Sequence, residues 1–111
     1  MELAEHAEAF VLEEKKEYGK SAALFELHGY YERAAVNYER AATHEKALAM
    51  WEKLGNGERA HLCRIKLYEH EGDYNRAASE WERRGDYEQA LKNWERAENH
   101  ARIAEYFLVE V

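Results

Sequence analysis

Proline is absent from the 111 residues and cysteine occurs once. The first absence removes the strongest helix breaker and suits an all-helical chain. The second excludes an intrachain disulfide framework and points to a reducing compartment. Long apolar runs are missing as well. With 35% charged and 46% hydrophobic residues, the chain carries too many charges for a membrane span and too many apolar side chains for disorder. The start, Met1-Glu2-Leu3-Ala4-Glu5, lacks the basic stretch and apolar run of a secretory signal, so a cytoplasmic location is expected.

Positive charge is also scarce. The formal net charge is −7, with 7 Lys/Arg against 11 Asp/Glu in residues 1–55 and 9 against 12 in residues 56–111. Neither half offers the basic patch that neutralises phosphates, so nucleic acid is not an expected partner. The length fits one domain, residues 1–111, with room for a core but not for a catalytic domain plus a regulator.

What the chain has is a sentence of thirteen residues, written over and over. D-Y-N-R-A-A-S-E-W-E-R-R-G (73–85) is followed at once by D-Y-E-Q-A-L-K-N-W-E-R-A-E (86–98). Stretches 17–29, 30–42, 43–55 and 99–111 share the register, 56–72 is a copy longer by four residues, and a looser copy before Glu17 has Phe10 in place of its aromatic. Position nine holds Phe25, Tyr38, Trp51, Tyr68, Trp81, Trp94 and Phe107. Position five is small (Ser21, Ala34, Ala47, Ala77, Ala90) except at Ile103, and position two is often Tyr. The spacing 2, 5, 6, 9 is one face of an α-helix.

Position one is often Asp, Asn or Thr (Asp73, Asp86, Asn56, Asn99, Thr43), the types that cap a helix start. Position thirteen is often Gly (Gly29, Gly55, Gly72, Gly85), which closes a helix end in the left-handed conformation. Stop and start signals adjoin, so successive helices double back. An isolated helix this short is marginal in water, so the aromatics of position nine are expected to form a shared core. The fold class that follows is all-α: a right-handed αα-superhelix of about eight short antiparallel helices in four hairpins.

G-D-Y-E-Q-A-L-K-N-W-E-R-A (85–97) resembles the second helix of a tetratricopeptide repeat, with Tyr87, Ala90, Trp94 and Ala97 on the family's Tyr, Ala, aromatic and Ala positions. Y-N-R-A-A-S-E-W (74–81) is similar to the first helix, through Ala78 and Trp81. The pair here is about 26 residues against the family's 34, and the family's terminal Pro is missing. The chain therefore resembles the wider group that includes clathrin heavy-chain and soluble attachment protein repeats. The resemblance implies capture of a peptide or partner protein on a superhelical surface, without catalysis.

The chemistry-bearing residues point to no enzyme and no cofactor. His44-Glu45-Lys46-Ala47-Leu48 begins like the zinc-protease motif but has Leu in place of the second His. The remaining histidines have no second His three or four residues away, so no metal site is expected; His44 and His100 read as half-buried packing residues. Cys63 has no base placed beside it by sequence, and reads as a small buried hydrophobe. Glu recurs at position ten (Glu26, Glu39, Glu52, Glu69, Glu82, Glu95) and a basic residue at position four, a pattern of solvated faces or salt bridges between helices rather than a pair of catalytic acids.

If the units pair as hairpins, the helices at 17–28, 44–54, 73–84 and 99–110 line the concave side. Small residues at position seven (Ala23, Ala49, Ser79) then open a groove, and the expected partner-binding residues are Glu45, Ala49, Glu52, Asn75, Ser79 and Glu82. The last unit ends Tyr106-Phe107-Leu108-Val109-Glu110-Val111 without a polar capping helix. Terminal repeats normally turn a polar face outward, so either the chain belongs to a longer protein or this end packs on another molecule, a second copy included. Self-assembly by end-to-end stacking is accordingly the alternative to partner binding.

Overall fold

The computed structural model describes residues 2–109, and every element among them is an α-helix. In chain order these are α1 (Glu2–Glu14), α2 (Tyr18–Leu27), α3 (Tyr31–Arg40), α4 (His44–Lys53), α5 (Gly57–His70), α6 (Tyr74–Arg83), α7 (Tyr87–Arg96) and α8 (His100–Val109). Each ten-residue helix occupies positions two to eleven of its unit, as the periodicity requires. The four extra residues of the fifth copy add about one turn to α5, which stays a single helix of 14 residues.

The turns explain the period. Position thirteen is left-handed at every turn among the described residues, at φ of 71–84° for Gly29, Gly55, Gly72 and Gly85 and 54–62° for Lys16, Ala42 and Glu98. At each turn the N–H of position one donates to the carbonyl of position nine at 2.8–2.9 Å, for example Tyr30 to Phe25 and Asp73 to Tyr68. The N–H of position thirteen donates to the carbonyl of position ten. This double closure satisfies carbonyls that the helix end would leave open, and it leaves only one further residue before the next helix.

Two compact units divide the chain, one up to Arg64 and one from Ile65. In the first, α1 packs on α2, α2 on α3 and α3 on α4, and the buried cluster runs through Ala9, Ala22, Phe25, Ala34, Ala35, Tyr38, Ala47, Met50, Trp51, Ala60 and Cys63. In the second, α6 packs on α7 and α7 on α8, around Ile65, Ala77, Ala78, Trp81, Ala90 and Trp94. Small side chains at positions five and six let the helix axes approach, and the aromatic at position nine fills the space between them.

Two expectations about the aromatics need correction. Phe107 is 56% exposed, since among the described residues α8 is the last helix and packs back on α7, and Tyr68 is only half-buried; the other five position-nine aromatics are buried. The first copy also counts differently. The turn at Lys16 and Glu17 places Leu12, not Phe10, at position nine, and the buried small residue is Ala9. Phe10 is 41% exposed and stands edge-on to Phe25, with ring centroids 5.0 Å apart.

Candidate functional site

The carboxylates of position ten reach much further than a solvated face would. Glu39 accepts from Trp51 Nε1 at 2.6 Å, Glu26 from Tyr38 Oη at 2.5 Å and Glu69 from Trp81 Nε1 at 3.1 Å, each donor lying twelve residues on. A second donor arrives from 24 residues on, two helices away. Asn37 Nδ2 donates to Glu13 at 2.8 Å, Asn93 Nδ2 to Glu69 at 2.8 Å, and the Cys63 thiol sits 3.8 Å from Glu39 Oε1. Arg33 adds a two-pronged pair to Glu13, through Nε at 3.2 Å and Nη2 at 2.8 Å, and Arg102 pairs with Glu82 at 2.7 Å.

The basic residues of position four also have a structural task. Arg33, Lys46, Arg59, Arg76 and Arg102 lie over the rings of Phe25, Tyr38, Trp51, Tyr68 and Trp94 respectively, 4.7–5.7 Å from the centroids. Each covers the aromatic of the preceding helix. The repeated charges therefore belong to the scaffold.

Electrostatics follow from these contacts. The Arg33 guanidinium, with help from Asn37, holds the Glu13 carboxyl below the usual carboxylate range against the cost of burial. Burial pushes the Cys63 thiol up to about 11, helped by the nearby charge of Glu39. A thiol so placed is protonated at neutral pH and a poor nucleophile. Burial and the hydrogen bond to Glu26 push the Tyr38 phenol up to about 12.

The six residues expected to bind a partner fall into two groups. Glu45, Ala49 and Glu52 lie on α4 in the first unit, and Asn75, Ser79 and Glu82 on α6 in the second. Glu45, Ala49 and Ser79 are exposed. The other three have structural partners: Glu52 accepts from Arg64 Nη2 at 2.9 Å, Asn75 Oδ1 from Asn99 Nδ2 at 2.7 Å, and Glu82 from Arg102. His44 is half-buried as expected, whereas His100 is exposed.

A concavity of about 690 Å³ opens elsewhere, in the first unit, and none of those six residues lines it. Its walls are Glu13 of α1, the turn at Gly29 and Tyr30, the face of α3 bearing Tyr31, Glu32, Arg33, Val36 and Arg40, and Leu54 beyond α4. The α3 face recurs at helical spacing, with Val36 as its apolar centre and Leu54 44% exposed opposite. Its cations are held in place. Arg33 pairs with Glu13 and covers Phe10 at 4.6 Å, and Arg40 stands over Tyr18 at 5.4 Å. The signal in the sequence was Val36, at a position where Ala23, Ala49 and Ser79 are small.

Among the described residues, no group of three or more His, Cys, Asp and Glu is placed to hold a metal ion, and no helix is long and apolar enough to cross a membrane. The helical repeat is thus established by the structure alone: no family model, curated protein or solved structure matches the chain.

Proposed function

We propose that the chain is a non-catalytic protein-interaction scaffold of the tetratricopeptide-like kind, which binds a peptide or partner protein. The concavity along α3 carries this reading, since it joins half-buried Val36 and exposed Leu54 to fixed cations and aromatic rims. Repeated side chains are committed to holding helices together, which leaves positions that depart from the repeat free for recognition. A single cysteine kept as a buried thiol suits a reducing compartment such as the cytoplasm, and the acidic balance does not favour nucleic acid.

Paired variants test the site. Val36→Thr with Leu54→Glu should abolish capture of a stoichiometric partner from a lysate of the source organism at a cost of no more than about 1 kcal/mol in the thermal melt, since Val36 is half-buried against the core and Leu54 exposed. Ala49→Arg on α4 and Ser79→Arg on α6 probe the exposed small positions of the two units in the same assay. Loss of capture in the second pair but not the first would move the site to those helices. Charge reversal at Glu52 or Glu82 is a poorer probe, because both carboxylates hold arginines of the scaffold.

End-to-end self-assembly is the second reading, favoured by Phe107 and Leu108, which are 56% and 73% exposed on α8. Light scattering behind gel filtration decides it. A mass that rises with concentration, and returns to the monomer in Phe107→Ser/Leu108→Ser, supports assembly; a monomer at all concentrations contradicts it.

A further inference from the structure

One start in the repeat breaks the capping rule in a particular direction. Position one of α3 is Tyr30, which makes no side-chain cap, and its hydroxyl is instead 2.9 Å from Nδ1 of His6 on α1. His28, two residues earlier at the end of α2, brings its ring to 4.4 Å from the His6 ring, tilted by 49°. The Tyr30 ring meets the His6 ring edge-on at 5.0 Å. Three side chains from three successive segments therefore converge, and none belongs to the columns that build the scaffold.

We propose that His6 and His28 form a two-imidazole site for a divalent late first-row transition cation, Zn²⁺ being the probe of choice. Imidazole nitrogens suit Zn²⁺, Ni²⁺ and Cu²⁺ and discriminate against Mg²⁺ and Ca²⁺, which prefer oxygen. A nitrogen ligand binds zinc at about 2.0–2.1 Å, so two rings on one tetrahedral ion have centroids about 5 Å apart. The observed 4.4 Å is shorter by under about 1 Å, so the two rings would swing slightly apart to share the ion. In the tautomer whose Nδ1–H donates to the Tyr30 hydroxyl, 2.9 Å away, Nε2 of His6 is left for the cation, the outer-shell arrangement that orients metal-binding histidines. Water completes the coordination shell. Bound there, the ion ties α1 to the turn between α2 and α3, and Gly29 and Tyr30 of that turn line the concavity.

Calorimetric titration of the full chain with ZnCl₂ tests the proposal. The expected result is one saturable site per chain, weakened at least tenfold in His6→Ala and in His28→Ala and roughly tenfold in Tyr30→Phe, the usual effect of removing an outer-shell partner. His100→Ala should bind as the wild type does. No saturable binding, or undiminished affinity in either histidine variant, overturns the site. A second measurement needs no variant. Substoichiometric Cu²⁺ should broaden the ring proton signals of His6 and His28 before those of the other four histidines, and uniform broadening of all six would contradict the assignment.

Discussion

The two units solve the problem of starting a helix differently. In the second unit every start is capped by a side chain: Asp73, Asp86 and Asn99 accept from the N–H three residues on, at 3.2–3.4 Å, and of the described starts in the first unit only Asn56, before α5, does so, at 3.0 Å. In the first unit, α2, α3 and α4 begin at Glu17, Tyr30 and Thr43 without such a bond. These uncapped helices nevertheless pack into a continuous buried cluster through Phe25, Tyr38 and Trp51. Helix stability in the first unit therefore rests on lateral packing, whereas the second unit adds stronger local signals. The relaxed starts are also where the sequence varies most usefully, since Tyr30 lines both the concavity and the histidine pair.

The largest test of this contrast lies in position nine. Trp81→Ala and Trp94→Ala should each cost roughly 3–5 kcal/mol in urea melts, and Phe107→Ala less than about 1 kcal/mol, because its ring is already in water. Equal losses at all three would break the packing account. Next comes Glu69, whose removal strands Trp81 Nε1 and takes away one of the two acceptors of Asn93 Nδ2, the other being the Gln89 carbonyl. Glu69→Ala should cost roughly 2–3 kcal/mol, against a few tenths for exposed Glu95→Ala, where position nine of the following helix is Phe107 and offers no donor.

This ranking also marks what could be read from the sequence. Period, helix ends and the buried aromatics were legible because each is a local signal of thirteen residues, visible in adjacent copies. The recurring charges already read as solvated faces or salt bridges between helices, but the Tyr, Trp and Asn donors of the carboxylates were not legible, because they stand 12 or 24 residues away and meet the acid only when neighbouring or alternate helices align. A trace was present: Asn recurs at position eight in α3 and α7, with Cys63 holding the equivalent place in α5. Phe10 and Phe107 were misplaced for a related reason, since exposure depends on which helix lies alongside.

The pH dependence separates the buried acids. Both Cys63 and Tyr38 are raised, from 9.0 to about 11 and from 10.0 to about 12, so the folded state keeps protons that the unfolded chain releases. Their contribution is intact below about pH 9 and declines as pH rises toward 12. Cys63→Ala should flatten the decline between about pH 9 and 11, and Tyr38→Phe the later part. Glu13 is lowered, so its contribution is present above the ordinary carboxylate range and disappears as pH falls through the lower folded value. Glu13→Gln should flatten that acid limb.

The smallest effect compares turns. Ala42 and Glu98 occupy the left-handed site at φ of 58° and 54°, where other copies have Gly. Ala42→Gly and Glu98→Gly should each stabilise by up to about 1 kcal/mol, while Gly55→Ala and Gly72→Ala should destabilise by about 1–2 kcal/mol although a Cβ there would touch nothing. Thermal melts suffice to rank the four.

A double-mutant cycle on Glu69 and Asn93, read by urea denaturation, tests most directly whether position-ten carboxylates bind helices two apart. The structure predicts a coupling energy of about 1–2 kcal/mol, since the amide donates to a charged carboxylate and either variant alone removes that bond. Additive losses, with a coupling below about 0.3 kcal/mol, would contradict it.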